Sequence, residues 1–423
     1  MGNLAINGGK KLINKSFESY NSLGFEEVCA AERVVKSGVL SDFVGEFGPG
    51  FNGGIEVQEF ERFCEEYFKV KHAITVNSWT SGLIAAVGAI GIEPGDEIIT
   101  TPWTMCATST SILHWNALPV FADIEPNTYC IDPISIEKNI TQQTKAILAV
   151  DLFGHPCDYD AIDKIASQYG LKVIYDSAQS PNALYGQDFA GTRGDIGGIS
   201  LNFHKHIHTG EGGVLFTNND DYAQKLKLIR NHAEAVVGSM PNASLVNMLG
   251  YNFRLGEIES AIGKEQLRKL DEKTNSRITI ANRLTECLSK LDGLSTPIVK
   301  EGVRHVYYVY AMKIDERKLG IKRSKIIEAL TAEGVTGLGS GYGNIHLLPM
   351  FQNKIAYGSK GFPWFPLEKR VINYKKGVCP ISEALNDESY IDFSICSYQL
   401  PPEDVELVIA GFQKVWQYLD ELR

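Results

Sequence analysis

An α/β fold, with a large mostly parallel mixed sheet followed by a smaller α/β domain, is what this 423-residue sequence predicts. Three observations predict it. From about Val70 to Asn218 short apolar runs alternate with amphipathic segments, the pattern of strands joined by helical crossovers. After about Gln266 a long charged helical segment leads out of that alternation, so residues 1–265 are read as a large domain and 266–423 as a small one. Hydrophobic residues make up 44% and charged residues 22%, which lets a chain of this length bury roughly three quarters of its unfolded surface.

The elements follow in order. Ala73–Val76 is a strand-like run, and Thr80–Ile90 carries Ala, Leu and Ile at helical spacing. EPGDEIITTP reads as a turn and a strand, and Thr108–Asn116 as a helix. Strands follow at Pro119–Asp123, Lys145–Leu152 and Lys172–Tyr175, with an amphipathic helix at Tyr159–Tyr169 before the last. Beyond the large domain, LRKLDEKTNSRITIANRLTECLSKL is one long helix, His305–Ile314 a strand and Arg323–Glu333 a helix. The stretch Gly337–Pro366 is rich in Gly and aromatics and reads as irregular. The last helix places Val405, Ile409, Phe412, Trp416 and Leu419 on one stripe. In sheets of this kind ligands bind outside the carboxyl ends of the strands, so polar residues just after the strands are the place to look.

Composition narrows the function. Lys+Arg total 41 against 51 Asp+Glu, a formal net charge of −10, and a nucleic-acid protein needs a basic face instead. The eight cysteines are scattered with no CxxC pair, which reads as free thiols in a reducing compartment, not a disulfide framework or zinc site. The segment MGNLAINGGKKLINK has no long apolar run, and no stretch approaches the ~18 apolar residues of a membrane span. A cytoplasmic, membrane-free protein is expected.

Three segments carry chemistry. SLNFHKHIHTGEGG places Lys205 between a strand and a glycine-rich hairpin that leads into Val214–Thr217. A lysine held at a strand end is desolvated, loses its proton more readily and can form a Schiff base. YDSAQS closes an apolar strand with Asp176, a carboxylate suited to pair with a pyridinium nitrogen, although Asp after a strand is also a common helix cap. NSWTSG sets hydroxyls at a helix amino terminus, a ready phosphate site and equally an ordinary N-cap. Lysine, carboxylate and phosphate cradle together are the fixed points of a pyridoxal phosphate site.

With these residues in view, the chain resembles the DegT/DnrJ/StrS family of sugar aminotransferases, of the aspartate aminotransferase-like (type I) fold. The resemblance runs from LAINGGK through GIEPGDEIITTPWT, PVFADIEPNTYCIDP, TKAILAVDLFGHPCDYDAI, YDSAQS and KHIHTGEGG to GYNFRLGEIESAIG. It implies that Lys205 holds the cofactor and is the catalytic residue. It implies further that Thr80, Ser81 and Ser200 bind the phosphate, and that Asp176 and Gln179 meet the pyridine nitrogen and the ring hydroxyl. Asn252 in GYNFR would reach the phosphate of a neighbouring subunit, making the unit a homodimer with shared sites.

Three departures stand out. Trp79 replaces the glycine usual before Thr80, at a place where backbone approaches phosphate. Met105 aligns with the aromatic that stacks on the cofactor, so Met105 or Trp103 must cover the ring. Lys205 is flanked by His204 and His206, with His208 beyond, and some relatives that carry histidine in place of the lysine are dehydratases. Spacing from GEGG and from Ser200 puts lysine at the reactive position, and no metal site is expected among these histidines.

The resulting expectation is a pyridoxal phosphate-dependent aminotransferase that takes an amino group from glutamate or glutamine to a keto sugar, nucleotide-linked or free, or to a keto cyclitol. LAINGGK, Gly53–Gly54 and PISEAL look more like the cyclitol branch. His204, Arg304, His305, Tyr307, His346 and Lys360 are set down for the acceptor pocket, with Trp103 beside them. The rivals are a dehydratase of the same family and a non-catalytic relative that binds cofactor or sugar as a regulatory ligand.

Overall fold

A computed structural model describes residues 2–240 and 248–423. Its centre is a seven-stranded sheet whose strands, in chain order, are β1 (His72–Val76), β2 (Glu97–Thr100), β3 (Leu118–Phe121), β4 (Thr144–Val150), β5 (Lys172–Asp176), β6 (Ile196–Ser200) and β7 (Gly213–Thr217). Their order across the sheet is β1-β7-β6-β5-β4-β2-β3. Neighbours β3, β2, β4, β5 and β6 pair in parallel, while β7 runs against both β6 and β1. Nearly every strand residue is buried, as expected for a sheet covered on both faces.

Helices supply that cover, and local chemistry fixes where they begin. Ser78 caps the helix Trp79–Ala89 by accepting from the Ser81 N–H, and Asp158 caps Tyr159–Tyr169 by accepting from Ala161. Gly170 ends the latter in a left-handed conformation. The strands and helices expected up to residue 217 are all present, with ends displaced by a residue or two.

Three expectations need adjusting further on. The long helix runs Glu257–Leu288 and so begins ten residues before LRKL. Its early turns carry Ser260, Ala261 and Gly263, small residues that admit close packing, and a side chain at Gly263 would strike the Phe60 ring. The expected strand His305–Ile314 is a ladder only at Tyr310–Ile314. Before it, Tyr307 adopts φ 50°, and the N–H groups of Val306 and Tyr308 donate to Gly154 and Phe153 instead. Gly337–Pro366 is largely irregular as expected, but it includes a short helix at Pro349–Asn353.

A second sheet is built around Tyr310–Ile314 and Tyr390–Phe393. Packing does not follow a single cut along the chain. Leu4, Ile13 and Phe17 join the hydrophobic cluster of this second sheet, together with Val405, Ile409 and Phe412 of the last helix. Ile345, Phe351, Trp364 and Ile372 instead join the cluster under the seven-stranded sheet.

Candidate active site

Register brings the carboxyl ends of the parallel strands to one edge. Gly213, the first residue of β7, lies opposite both Val76 and Ser200, and Asp176 lies opposite Val150 and Gly198. The segments leaving β1, β5 and β6 therefore converge. At Gly213 the approach is close: a Cβ there would come within 3.0 Å of the Trp79 Cα. Above this edge opens a cleft of about 210 Å³, lined among others by Thr80, Met105, Asp176, Gln179, Ser200, His204, Lys205 and Tyr342.

Lys205 is held by a turn in which its N–H donates to the Asn202 carbonyl, and Asn202 is tied to Glu211 of the glycine-rich hairpin. Its side chain is buried, with Nζ 4.3 Å from the centre of the Tyr308 ring. Burial pushes the ammonium down to about 8, opposed by the negative charge of Asp176. Such an amine has a far larger neutral fraction near physiological pH than an ordinary lysine and can act as nucleophile and base.

Asp176 ends β5 and is buried. Its Oδ1 accepts from the Trp79 indole N–H at 2.6 Å and from the Ala178 N–H at 3.2 Å, and Oδ2 accepts from the Thr108 hydroxyl at 2.9 Å. Burial raises its carboxyl above the usual range, while these donors and the Lys205 charge pull it back towards the ionised form. The cap reading of Asp176 is thereby narrowed: it takes one N–H two residues on, but most of its bonds come from distant elements.

The end expected to hold a phosphate is the first turn of Trp79–Ala89. Thr80 is exposed to the cleft, whereas Ser81 is buried, its N–H bonded to Ser78 Oγ and its hydroxyl 2.9 Å from the same atom. First-turn N–H groups have no acceptor within their own helix and leave this end electropositive. Ser200 is buried at the cleft floor, where its hydroxyl accepts from the Asn202 N–H. Gln179 accepts from the Phe153 N–H and donates to the Tyr342 hydroxyl at 2.9 Å.

Of the two residues expected to cover a bound ring, Met105 is on the cleft wall and half exposed. Trp103 is not: it is fully buried, edge-on to Tyr129, Phe153 and Tyr390, with its indole N–H given to the Tyr342 carbonyl. It packs the core and offers a ligand no surface.

The acceptor set is also corrected. Arg304 is bound to Asn182, Thr274 and Asn275 beside the short strand Leu184–Tyr185. His305 is buried and stacked on Tyr307 at 4.0 Å, and accepts from the Tyr307 N–H. His346 is buried against Glu383 at 2.8 Å. Lys360 is exposed and outside the cleft. Only His204 of that group reaches the cleft. His206 is buried with Nε2 donating to the Val306 carbonyl, and His208 lies outside the cleft lining. Among the described residues no three His, Cys, Asp or Glu side chains are grouped to hold a metal.

Asn252 does not line the cleft of its own chain. Its side chain is exposed, and its carbonyl accepts from Asn77 just after β1. Thr108, Tyr342 and Tyr308 were missed by sequence reasoning. A hydroxyl one residue into a helix and two tyrosines in loops carry no local signal, and only the fold brings them to Asp176, Gln179 and Lys205.

The donor set suits pyridoxal phosphate: a buried amine, a buried carboxylate rich in donors, and hydroxyls with free N–H groups at a helix amino terminus. Known proteins point the same way. The model of the DegT/DnrJ/EryC1/StrS aminotransferase family matches residues 47–367. The Bacillus subtilis (strain 168) spore coat polysaccharide biosynthesis protein SpsC is 34% identical over 378 residues, covering 88% of this chain and 93% of its own. An L-glutamine:2-deoxy-scyllo-inosose aminotransferase of Streptoalloteichus tenebrarius is 30% identical over 434 residues, and the match covers 99% of each chain. Among solved structures, an aminotransferase from Psychrobacter cryohalolentis superposes with a TM-score of 0.81 at 27% identity, over 96% of this chain and 100% of that one. The architecture is the type I fold that the resemblance implied.

Proposed function

The chain belongs to the DegT/DnrJ/EryC1/StrS aminotransferase family, and on that premise we propose that it carries an amino group from glutamate or glutamine to the keto carbon of a cyclitol or sugar. It is an aminotransferase working with pyridoxal phosphate. The observation that carries the reading is Lys205: a buried amine, pushed down to about 8, at the carboxyl edge of the sheet beside an ionisable Asp176.

When bound, pyridoxal phosphate supplies a carbonyl for imine exchange and a protonated ring that draws electrons from the substrate's α-carbon. The protein's part follows from its groups. Thr80, Ser200 and the first-turn N–H groups of Trp79–Ala89 hold the phosphate. The Asp176 carboxylate would keep a proton on the ring nitrogen, and Gln179 would meet the ring hydroxyl. Met105 lies against the open wall. Lys205 Nζ, once free, takes the proton from the donor's α-carbon and later returns one to the acceptor's carbon.

A cyclitol acceptor is the favoured reading. It is supported by the relative named for 2-deoxy-scyllo-inosose, whose match spans 99% of both chains, and by LAINGGK, Gly53–Gly54 and PISEAL. That relative's name also supports glutamine as donor. The test is a panel of keto acceptors, free keto cyclitols and nucleotide-linked 3-keto and 4-keto sugars, presented to protein carrying the aminated cofactor. Restoration of the lysine-bound absorbance by a keto cyclitol is expected. Restoration only by a nucleotide-linked sugar overturns the cyclitol reading and leaves the aminotransferase one standing.

The working unit is proposed to be a homodimer with shared sites. Asn252 is exposed outside its own cleft, and Phe25, Val28 and Val35 on the helix Phe25–Ser37 are 77%, 63% and 58% exposed, a face suited to a second copy. Mixing Lys205→Ala with Asn252→Ala subunits then gives hybrids in which one site carries both defects and the other neither. Activity well above the sum of the separate variants is expected. Activity that stays at that sum despite demonstrated subunit exchange would place Asn252 in its own chain's function.

A further inference from the structure

The glycine expected before Thr80 is Trp79, a bulky residue at a place where backbone meets phosphate. The structure resolves this oddity. Trp79 lines the cleft, and its indole is packed against the sheet edge, with only 6% of the residue exposed. Its slot is made by absent side chains: a Cβ at Gly198 would lie 2.6 Å from the indole ring, and one at Gly213 would lie 3.0 Å from the Trp79 Cα. At the end of the slot the indole N–H meets Asp176 Oδ1 at 2.6 Å. Thr108 holds the other oxygen.

We propose that Trp79 is a positioning residue for Asp176, whose indole N–H fixes the carboxylate in the orientation that a protonated ring nitrogen requires. The proposal rests on the reading of Asp176 as the ring-nitrogen partner. Three features carry it. Trp79 is the first residue of the helix whose amino end faces the phosphate position, so one residue ties the phosphate end of the site to its ring end. Trp79 and Thr108 come from different helices and grip different oxygens, which leaves the carboxylate no free rotation about its terminal bond. Finally, an indole N–H is donor only: unlike the Thr108 hydroxyl it cannot turn round and accept, so it always selects an oxygen that bears charge or a lone pair.

The contact is directly observable. The other four indoles of the chain donate to neutral oxygens: Trp103 to the Tyr342 carbonyl, Trp115 to Ile84, Trp364 to the Tyr374 hydroxyl and Trp416 to Asp292. Trp79 alone among them donates to a carboxylate, and a charge-assisted bond is shorter and stronger. In a proton–nitrogen spectrum of full-length protein labelled at tryptophan nitrogen, its indole proton is expected furthest downfield. Asp176→Asn should move that signal upfield and leave the other four in place.

The functional arm uses pyridoxamine 5′-phosphate as the probe, so that no bond to Lys205 enters the measurement. Trp79→Phe keeps an aromatic ring in the slot but removes the donor, and its affinity for the probe should fall about tenfold or more. A double variant with Asp176→Asn should bind no more weakly than Asp176→Asn alone, because Trp79 acts only through the carboxylate charge that Asp176→Asn has already removed. Fully additive losses would overturn the proposal and reduce Trp79 to filling space. An indole signal that ignores Asp176→Asn would overturn it as well, and needs no variant at position 79. If Asp176→Asn leaves probe affinity unchanged, the reading of Asp176 as the ring partner is what fails.

Discussion

Replacing Lys205 with Ala is expected to lower turnover by about 10³-fold or more and to abolish the absorbance of lysine-bound cofactor, while the fold persists. The loss is large because the proposed function gives one amine both the covalent anchor and the proton transfer. The fold should survive because the amine forms no ion pair among the described residues, only a contact with the Tyr308 ring. Losing a buried charge-bearing group relieves desolvation instead of stranding a partner. The neighbouring histidines cannot take over. His206 is pushed down to about 3 by burial and is spent on the Val306 carbonyl. His204 faces the cleft but can form no imine. Steady-state transamination by Lys205→Ala above a trace would assign the proton transfer to His204.

Asp176→Asn is expected to keep cofactor at saturating concentration and to lose on the order of 10²–10³-fold in turnover. The substitution preserves shape, and the amide can still satisfy its surroundings. Its oxygen accepts from the Trp79 indole, and its NH₂ faces the Thr108 hydroxyl, which can turn to accept. What it cannot do is hold a proton on a pyridine nitrogen by charge. That proton matters most when negative charge develops on the substrate carbon, so the deficit falls on kcat more than on binding. Near-normal kcat with cofactor saturating would show that Asp176 serves its helix and the Trp79 contact only.

How much of this was legible in the sequence differs from residue to residue, for physical reasons. The strands of the large sheet were plain because they are apolar on both faces and punctuated by turns. Asp176 and Ser200 were legible because each closes a strand, where the fold class places ligands, and Lys205 because it lies in the turn that follows Ser200. Trp103, His305, Tyr307 and His346 were misread because an aromatic or imidazole in a short irregular segment can face either way. Here burial chose the core for all four. Arg304 went wrong differently, since its partners Asn182 and Thr274 come from elements that no local pattern connects to it. Trp79 was noticed for the right reason, its bulk, yet its direction depends on Gly198 and Gly213, far along the chain.

The claim at the centre of this account is that Lys205-bound cofactor accepts an amino group and gives it up again. The most direct measurement is a single-turnover titration of purified protein, loaded with pyridoxal phosphate, by glutamine or glutamate in the absence of acceptor. The account predicts that the visible band of lysine-bound cofactor disappears, with one equivalent of keto acid released per site and the aminated cofactor left behind. A band that persists through saturating donor, or loss of the band without keto acid, would contradict it.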